Sequence, residues 1–195
     1  MKKVFIAVIS LFCCLCANAQ NESRIVINDL NPETGCRGLS TSAILVRNGM
    51  SDKYPLQVCL IADNESPNGW QYTIRITVTQ LESLAIPKGG VLLLRTSSGE
   101  VIELANNLDS HLSRDPLGTW VAAASVMIYN NAGHYPVTRE QLESIAAGVV
   151  KIRMQIGGNT FDTEYKKDRL GAAVSAHMAV IDKAISEVSD IREGF

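Results

Sequence analysis

The sequence predicts an α+β domain: an antiparallel-dominated β-sheet or sandwich with a short helix and a long C-terminal helix packed on it. Three observations carry this. From Trp70 to Thr79, Trp70, Tyr72, Ile74, Ile76 and Val78 alternate with Gln71, Thr73, Arg75, Thr77 and Thr79. Successive strand side chains point to opposite faces, so this stretch is a strand with one buried and one wet face. A capping box follows later, with Thr138 as N-cap and Gln141 at N3, and Val137 and Leu142 form a hydrophobic staple across it. Near the end, Leu170, Val174, Met178, Ile181, Ile185 and Val188 recur at three- and four-residue steps, the stripe of an amphipathic helix.

The elements in order justify that class. Arg24 to Asn28 reads as a short first strand, and Asn31-Pro32-Glu33-Thr34-Gly35 as a loop rich in breakers. Thr41 to Arg47 is apolar and brief; strand and helix both fit so short a run, and Asn48-Gly49 ends it as a turn. Leu56 to Ala62 alternates Leu56, Val58 and Leu60 with Gln57, Cys59 and Ile61. A loop of hairpin length, carrying Pro67-Asn68-Gly69, joins it to Trp70–Thr79. The two strands are therefore expected to pair antiparallel, with their aliphatic faces on the same side.

Val91 to Thr96 and Glu100 to Leu104 flank Ser97-Ser98-Gly99 as a second hairpin. Residues 105–118 form the longest stretch with no regular pattern, and long irregular loops often carry function. Trp120 to Tyr129 is apolar on both faces, which predicts a strand in the middle of a sheet covered on both sides. A short helix over Arg139–Ala146 follows, with Gly148 just past its last turn. A crossover of this length allows a parallel βαβ unit. Val150, Ile152, Met154 and Ile156 alternate with Lys151, Arg153 and Gln155, and Gly157-Gly158-Asn159 turns the chain. The final helical pattern runs from about Asp162 to Ile191, roughly 40 Å if unbroken, with a bend expected near Gly171. The whole amounts to a sheet of about six to eight strands.

Residues 1–19 read as a signal peptide. Met1-Lys2-Lys3 is a positive start, Val4 to Leu15 an apolar segment too short to remain across a bilayer, and Ala17-Asn18-Ala19 a small-residue cleavage site. Lipidation at Cys13, Cys14 or Cys16 is the lesser reading, because none follows a leucine and two small residues. Cleavage leaves residues 20–195 as a single domain. Its 16 basic and 20 acidic residues give −4 over 176 residues, enough chain for a sizeable core. Mild acidity without a basic run argues against nucleic acid as partner. No later stretch is long and apolar enough to be a transmembrane segment. The leader and its Ala-x-Ala-Gln ending resemble those of small exported proteins of Bacteroidetes-type Gram-negative bacteria. That resemblance covers the signal and the general layout, carries no site residues, and implies export to the periplasm or cell surface.

Site signals are sparse. In an oxidising compartment a Cys36–Cys59 disulfide and a pair of buried free thiols are both open. His111, His134 and His177 lack zinc spacings, so no metal or cofactor is expected; His177, beside the helix stripe, reads as a partly buried helix residue. Asp109-Ser110-His111 sets three catalytic residue types side by side, but a triad is spatial, and no Gly-x-Ser-x-Gly elbow exists. Tyr129, His134 and Tyr135 surround Asn130-Asn131-Ala132-Gly133, read as a loop; aromatics there could make a ligand platform or pack beneath the short helix. Two function classes follow. The first is a non-enzymatic exported module binding a protein, peptide or glycan. The alternative is a hydrolase assembled from the 106–118 and 130–135 loops, with Asp109, His111 and His134 as its catalytic groups.

Overall fold

The computed structural model describes residues 22–31, 34–46, 56–65, 69–80, 84–108, 113–115, 120–121, 124–125 and 128–193. It is α+β, and every strand pairing among those residues is antiparallel. A seven-stranded sheet contains β1 (Ile25–Leu30), β2 (Arg37–Thr41), β3 (Ile44–Val46), β4 (Leu56–Asp63), β5 (Gln71–Gln80), β8 (Ser113–Asp115) and β11 (Ile128–Val137). Its order is β1-β2-β4-β5-β11-β8, with β3 also on β4. A four-stranded sheet runs β13 (Asn159–Glu164), β12 (Val149–Ile156), β6 (Val91–Thr96), β7 (Val101–Ala105). β9 (Trp120–Val121) and β10 (Ala124–Ser125) pair with each other. Helix α1 is Arg139–Ala146 and α2 is Leu170–Glu193.

The expected β4–β5 hairpin forms with Val58 opposite Ile76 and Leu60 opposite Ile74. The inner row of Ile74, Ile76 and Val78 is buried. One hydrophobic cluster takes in this row, Leu92, Leu94, Ile152 and Met154 of the smaller sheet, and Leu170, Val174 and Ile181 of α2. Burying each such aliphatic side chain contributes about 1.5–3 kcal/mol.

The α1 signals are realised as read. Thr138 Oγ1 accepts from Gln141 N–H at 3.2 Å, and Gln141 Oε1 accepts from Thr138 N–H at 3.0 Å. Val137 and Leu142 are both buried. Four expectations are corrected. Residues 128–137 are a ten-residue strand paired with β5 along most of its length, so Asn130–Tyr135 is no loop. Trp120–Tyr129 is not one continuous strand, because β9 and β10 pair with each other. No parallel βαβ unit spans α1, because β11 and β12 lie in different sheets. Residues 159–164 are strand, so α2 starts at Leu170 and Gly171 sits in its first turn rather than at a bend. A Cβ on Gly171 would stand 2.7 Å from Ile145 O; the glycine is there to bring the two helices close. Asp168 Oδ1 fixes the junction, accepting from Gly171 N–H at 2.8 Å and Val149 N–H at 3.1 Å.

His177 fills a gap in the large sheet. β2 pairs with the far end of β4 and β3 with its start, leaving the edge of β4 near Leu60 without a backbone partner. Thr41 Oγ1 accepts from Leu60 N–H at 2.9 Å and donates to Leu60 O at 3.2 Å. His177 Nε2 lies 3.0 Å from Val58 O. A carbonyl only accepts, so Nε2 carries the proton, and Nδ1 accepts from Ser23 Oγ at 2.7 Å. His177 is fully rather than partly buried, and burial lowers its pKa to about 4.

Candidate functional site

The surface with the most chemistry is the outer face of the four-stranded sheet. Alternation along β12 turns Ile152 and Met154 inward and Lys151 and Arg153 outward. The ladder register then sets Glu164, Lys151, Arg95 and Val101 in one cross-strand row, and Asp162, Arg153, Leu93 and Glu103 in the next. Leu93, Arg95, Val101, Lys151 and Arg153 line a groove of about 220 Å³.

The electrostatics follow from that register. Lys151 Nζ is 3.1 Å from Asp162 Oδ1 and 3.3 Å from Glu164 Oε1. Arg153 donates to Asp162 from both Nε and Nη2. This bond, with Lys151 beside it, holds the Asp162 carboxyl below its ordinary range. Arg95 Nη2 reaches Glu164 only at 3.4 Å. Exposed ion pairs of this kind contribute about 0–1 kcal/mol. An anion arriving from solvent can therefore take over these cations at small cost. The paired donors of guanidinium suit a carboxylate, and Leu93 and Val101 supply apolar contact beside it.

A second groove, of about 290 Å³, lies between β3 and the start of α2, along Ile44, Leu45, Ala172 and Ala176. Its acid, Asp168, is already committed to capping through Oδ1. Arg169 is the one cation lining it, against three in the sheet groove, so the charged groove is the better candidate.

The residues singled out from sequence are placed elsewhere. Asp109, Ser110 and His111 lie outside the described residues. The backbone of Tyr129 belongs to β11. Tyr135 is buried, with its ring over Gly133, and its hydroxyl has no hydrogen-bond partner among the described residues. It is a core residue, not part of a surface platform, and burial raises its pKa. His134 faces the other side of β11. Its backbone N–H donates to Asn106 Oδ1 at 2.8 Å, and its carbonyl accepts from Asn107 N–H at 2.9 Å.

Cys36 and Cys59 are both free thiols. The register sets Gly38 opposite Asp63, which puts Cys36 and Cys59 about six residues apart along the ladder. At ~3.3 Å per residue that separation is far beyond disulfide reach. Cys59, Arg75 and His134 do share one outer row, a juxtaposition not legible from sequence. It forms no nucleophile–base dyad, because Cys59 and His134 are two strands apart, about 9–10 Å. Burial raises the Cys59 pKa, with Arg75 offsetting only part of the rise.

The charged groove is not legible in the local pattern, because the helical expectation takes in residues 162–164, which are strand. The signal that could have found it is the Gly157-Gly158 turn followed by alternation of Asp162 and Glu164 with Phe161, Thr163 and Tyr165. No family model, curated protein or solved structure matches this chain.

Proposed function

We propose that this chain is a non-enzymatic binding module, exported to the periplasm or cell surface, that engages an acidic peptide, protein segment or glycan. The observation that carries the reading is the groove of Arg95, Lys151 and Arg153 beside Leu93 and Val101. Its volume is below the roughly 300–1,000 Å³ of pockets that enclose a small molecule. It suits one unit of a longer chain lying across the sheet, such as a uronate sugar or an acidic side chain. The leader supports export, and the cations are only weakly held by their own acids.

The hydrolase alternative required a loop at 130–135, which is strand, and its other groups, Asp109 and His111, lie outside the described residues. The test is calorimetric titration of the processed chain with uronate-containing oligosaccharides and with poly-glutamate peptides at low and moderate salt. Binding of either class that weakens at least ~10-fold in Arg153→Glu and with added salt supports the reading. No binding by the parent chain to either class, or binding untouched by Arg153→Glu and Arg95→Glu, overturns it.

A further inference from the structure

Among the described residues the large sheet ends at β1, an edge blunted by one bulge near Val26 and by Asp29 but otherwise largely apolar and open to pairing. Val26 is 53% exposed, Ile27 47% and Leu30 57%, three of the five large hydrophobics exposed among the described residues. β13, the edge of the smaller sheet, instead carries Asp162 and Glu164 in ion pairs. Neither lysine nor proline occurs in β1.

Arg24 and Asp29 flank this apolar strip. Both are exposed and neither has an ion-pair partner among the described residues. They also share a face. Arg24 lies beside Ser42, whose N–H donates to Arg24 O at 2.7 Å, while Ile27 opposes Ser40 and Asp29 opposes Gly38. Ser42, Ser40 and Gly38 alternate to one side. The register shift between Ile25 and Ile27 brings Arg24 onto the same side as Asp29 despite their odd spacing.

We infer that β1 is a homodimer interface, in which β1 of one copy pairs antiparallel with β1 of a second. A two-fold axis through Ile27, with Val26 the extra residue of the bulge in each strand, sets Arg24 of each copy against Asp29 of the other and Ile27 against Ile27. One contact then forms two ion pairs, covers both apolar strips and joins two seven-stranded sheets into one. A two-fold closes the assembly, so the edge stops at a dimer instead of propagating. The contact is a single strand pair, well under the standard interface size, which places it among weak, reversible associations.

The test is sedimentation equilibrium of the processed chain from about 1 to about 500 µM, a range set by that size class. The parent chain is expected to pass from monomer to dimer. Arg24→Asp alone sets acid against acid, and Asp29→Arg alone sets base against base; each should weaken the dimer at least ~10-fold. Mixing the two single variants at equal concentration restores both ion pairs, so dimer should reappear in the mixture. All four side chains at issue are exposed, and far-UV circular dichroism checks that each variant is folded. Ile27→Lys, which leaves both charges in place, should also give monomer. A parent chain that remains monomeric throughout overturns the inference. So does a dimer indifferent to the reversals, or a mixture that stays monomeric.

Discussion

Mild acid should weaken this protein through His177. His177 is buried, with Nε2 donating to Val58 O and Nδ1 accepting from Ser23. Protonating it would place a charge in the interior and turn the Ser23 acceptor into a donor. Its folded pKa is lowered to about 4 from the ordinary 6.5. The unfolded chain therefore binds the proton first, and stability falls with pH between those values. Full stability is present above about pH 6.5, about 2 kcal/mol is lost by pH 5, and about 3 kcal/mol once pH falls below the folded pKa, at 1.36 kcal/mol per unit. The assay is urea denaturation followed by circular dichroism at pH 7.5, 6 and 5, on the parent chain and His177→Gln. Glutamine does not titrate and keeps a donor within reach of Val58. The variant should be less stable at pH 7.5, with a gap that narrows by about 2 kcal/mol at pH 5. A gap constant to within about 0.5 kcal/mol across the three pH values would show that His177 is not held neutral, and the argument from burial would be refuted.

Four other outcomes are expected. A Cβ on Gly133 would stand 2.7 Å from the Tyr135 ring, so Gly133→Ala should lower stability by about 1–3 kcal/mol in chemical denaturation; Tyr135→Phe, which removes a buried hydroxyl without a partner, should be neutral or stabilising by about 1 kcal/mol. Asn106 is buried, donates from Nδ2 to the carbonyls of Ile86, Pro87 and Leu108, and accepts His134 N–H at Oδ1. Asn106→Ala should therefore cost about 2–4 kcal/mol in the same assay, as several buried groups lose partners at once. In thiol titration of residues 20–195, Cys36 should react in the native state and Cys59 only after unfolding, because Cys59 is 1% exposed; absence of free thiol in denaturant would mean the two are oxidised.

The elements legible in sequence are those whose signals are local. The alternation over residues 70–79, the hairpins at 56–79 and 91–104, and the Thr138 cap each depend on neighbours a few residues away, and each forms. A period of two identifies a strand and its inner face wherever one side is apolar, as with Ile74, Ile76 and Val78. β11 escaped because Asn130-Asn131-Ala132-Gly133 has the composition of a turn; only pairing with nine residues of β5 makes it a strand. Tertiary context there overrides propensity.

The charged groove required more than strand assignment. Lys151 and Asp162 are eleven residues apart, Lys151 and Arg95 fifty-six, and they meet only because two antiparallel registers align them. Likewise β1 is an edge only by virtue of the strand order, and His177 meets Val58 only because α2 lies over the gap between β2 and β3. The sequence by itself determined the class of fold and the inner faces of its main strands, since burial is encoded by periods of 2 and 3.6. The tertiary structure alone decided which charges stand together and which strand is left at the edge, because long-range register depends on how separate elements pack and leaves no trace in local spacing.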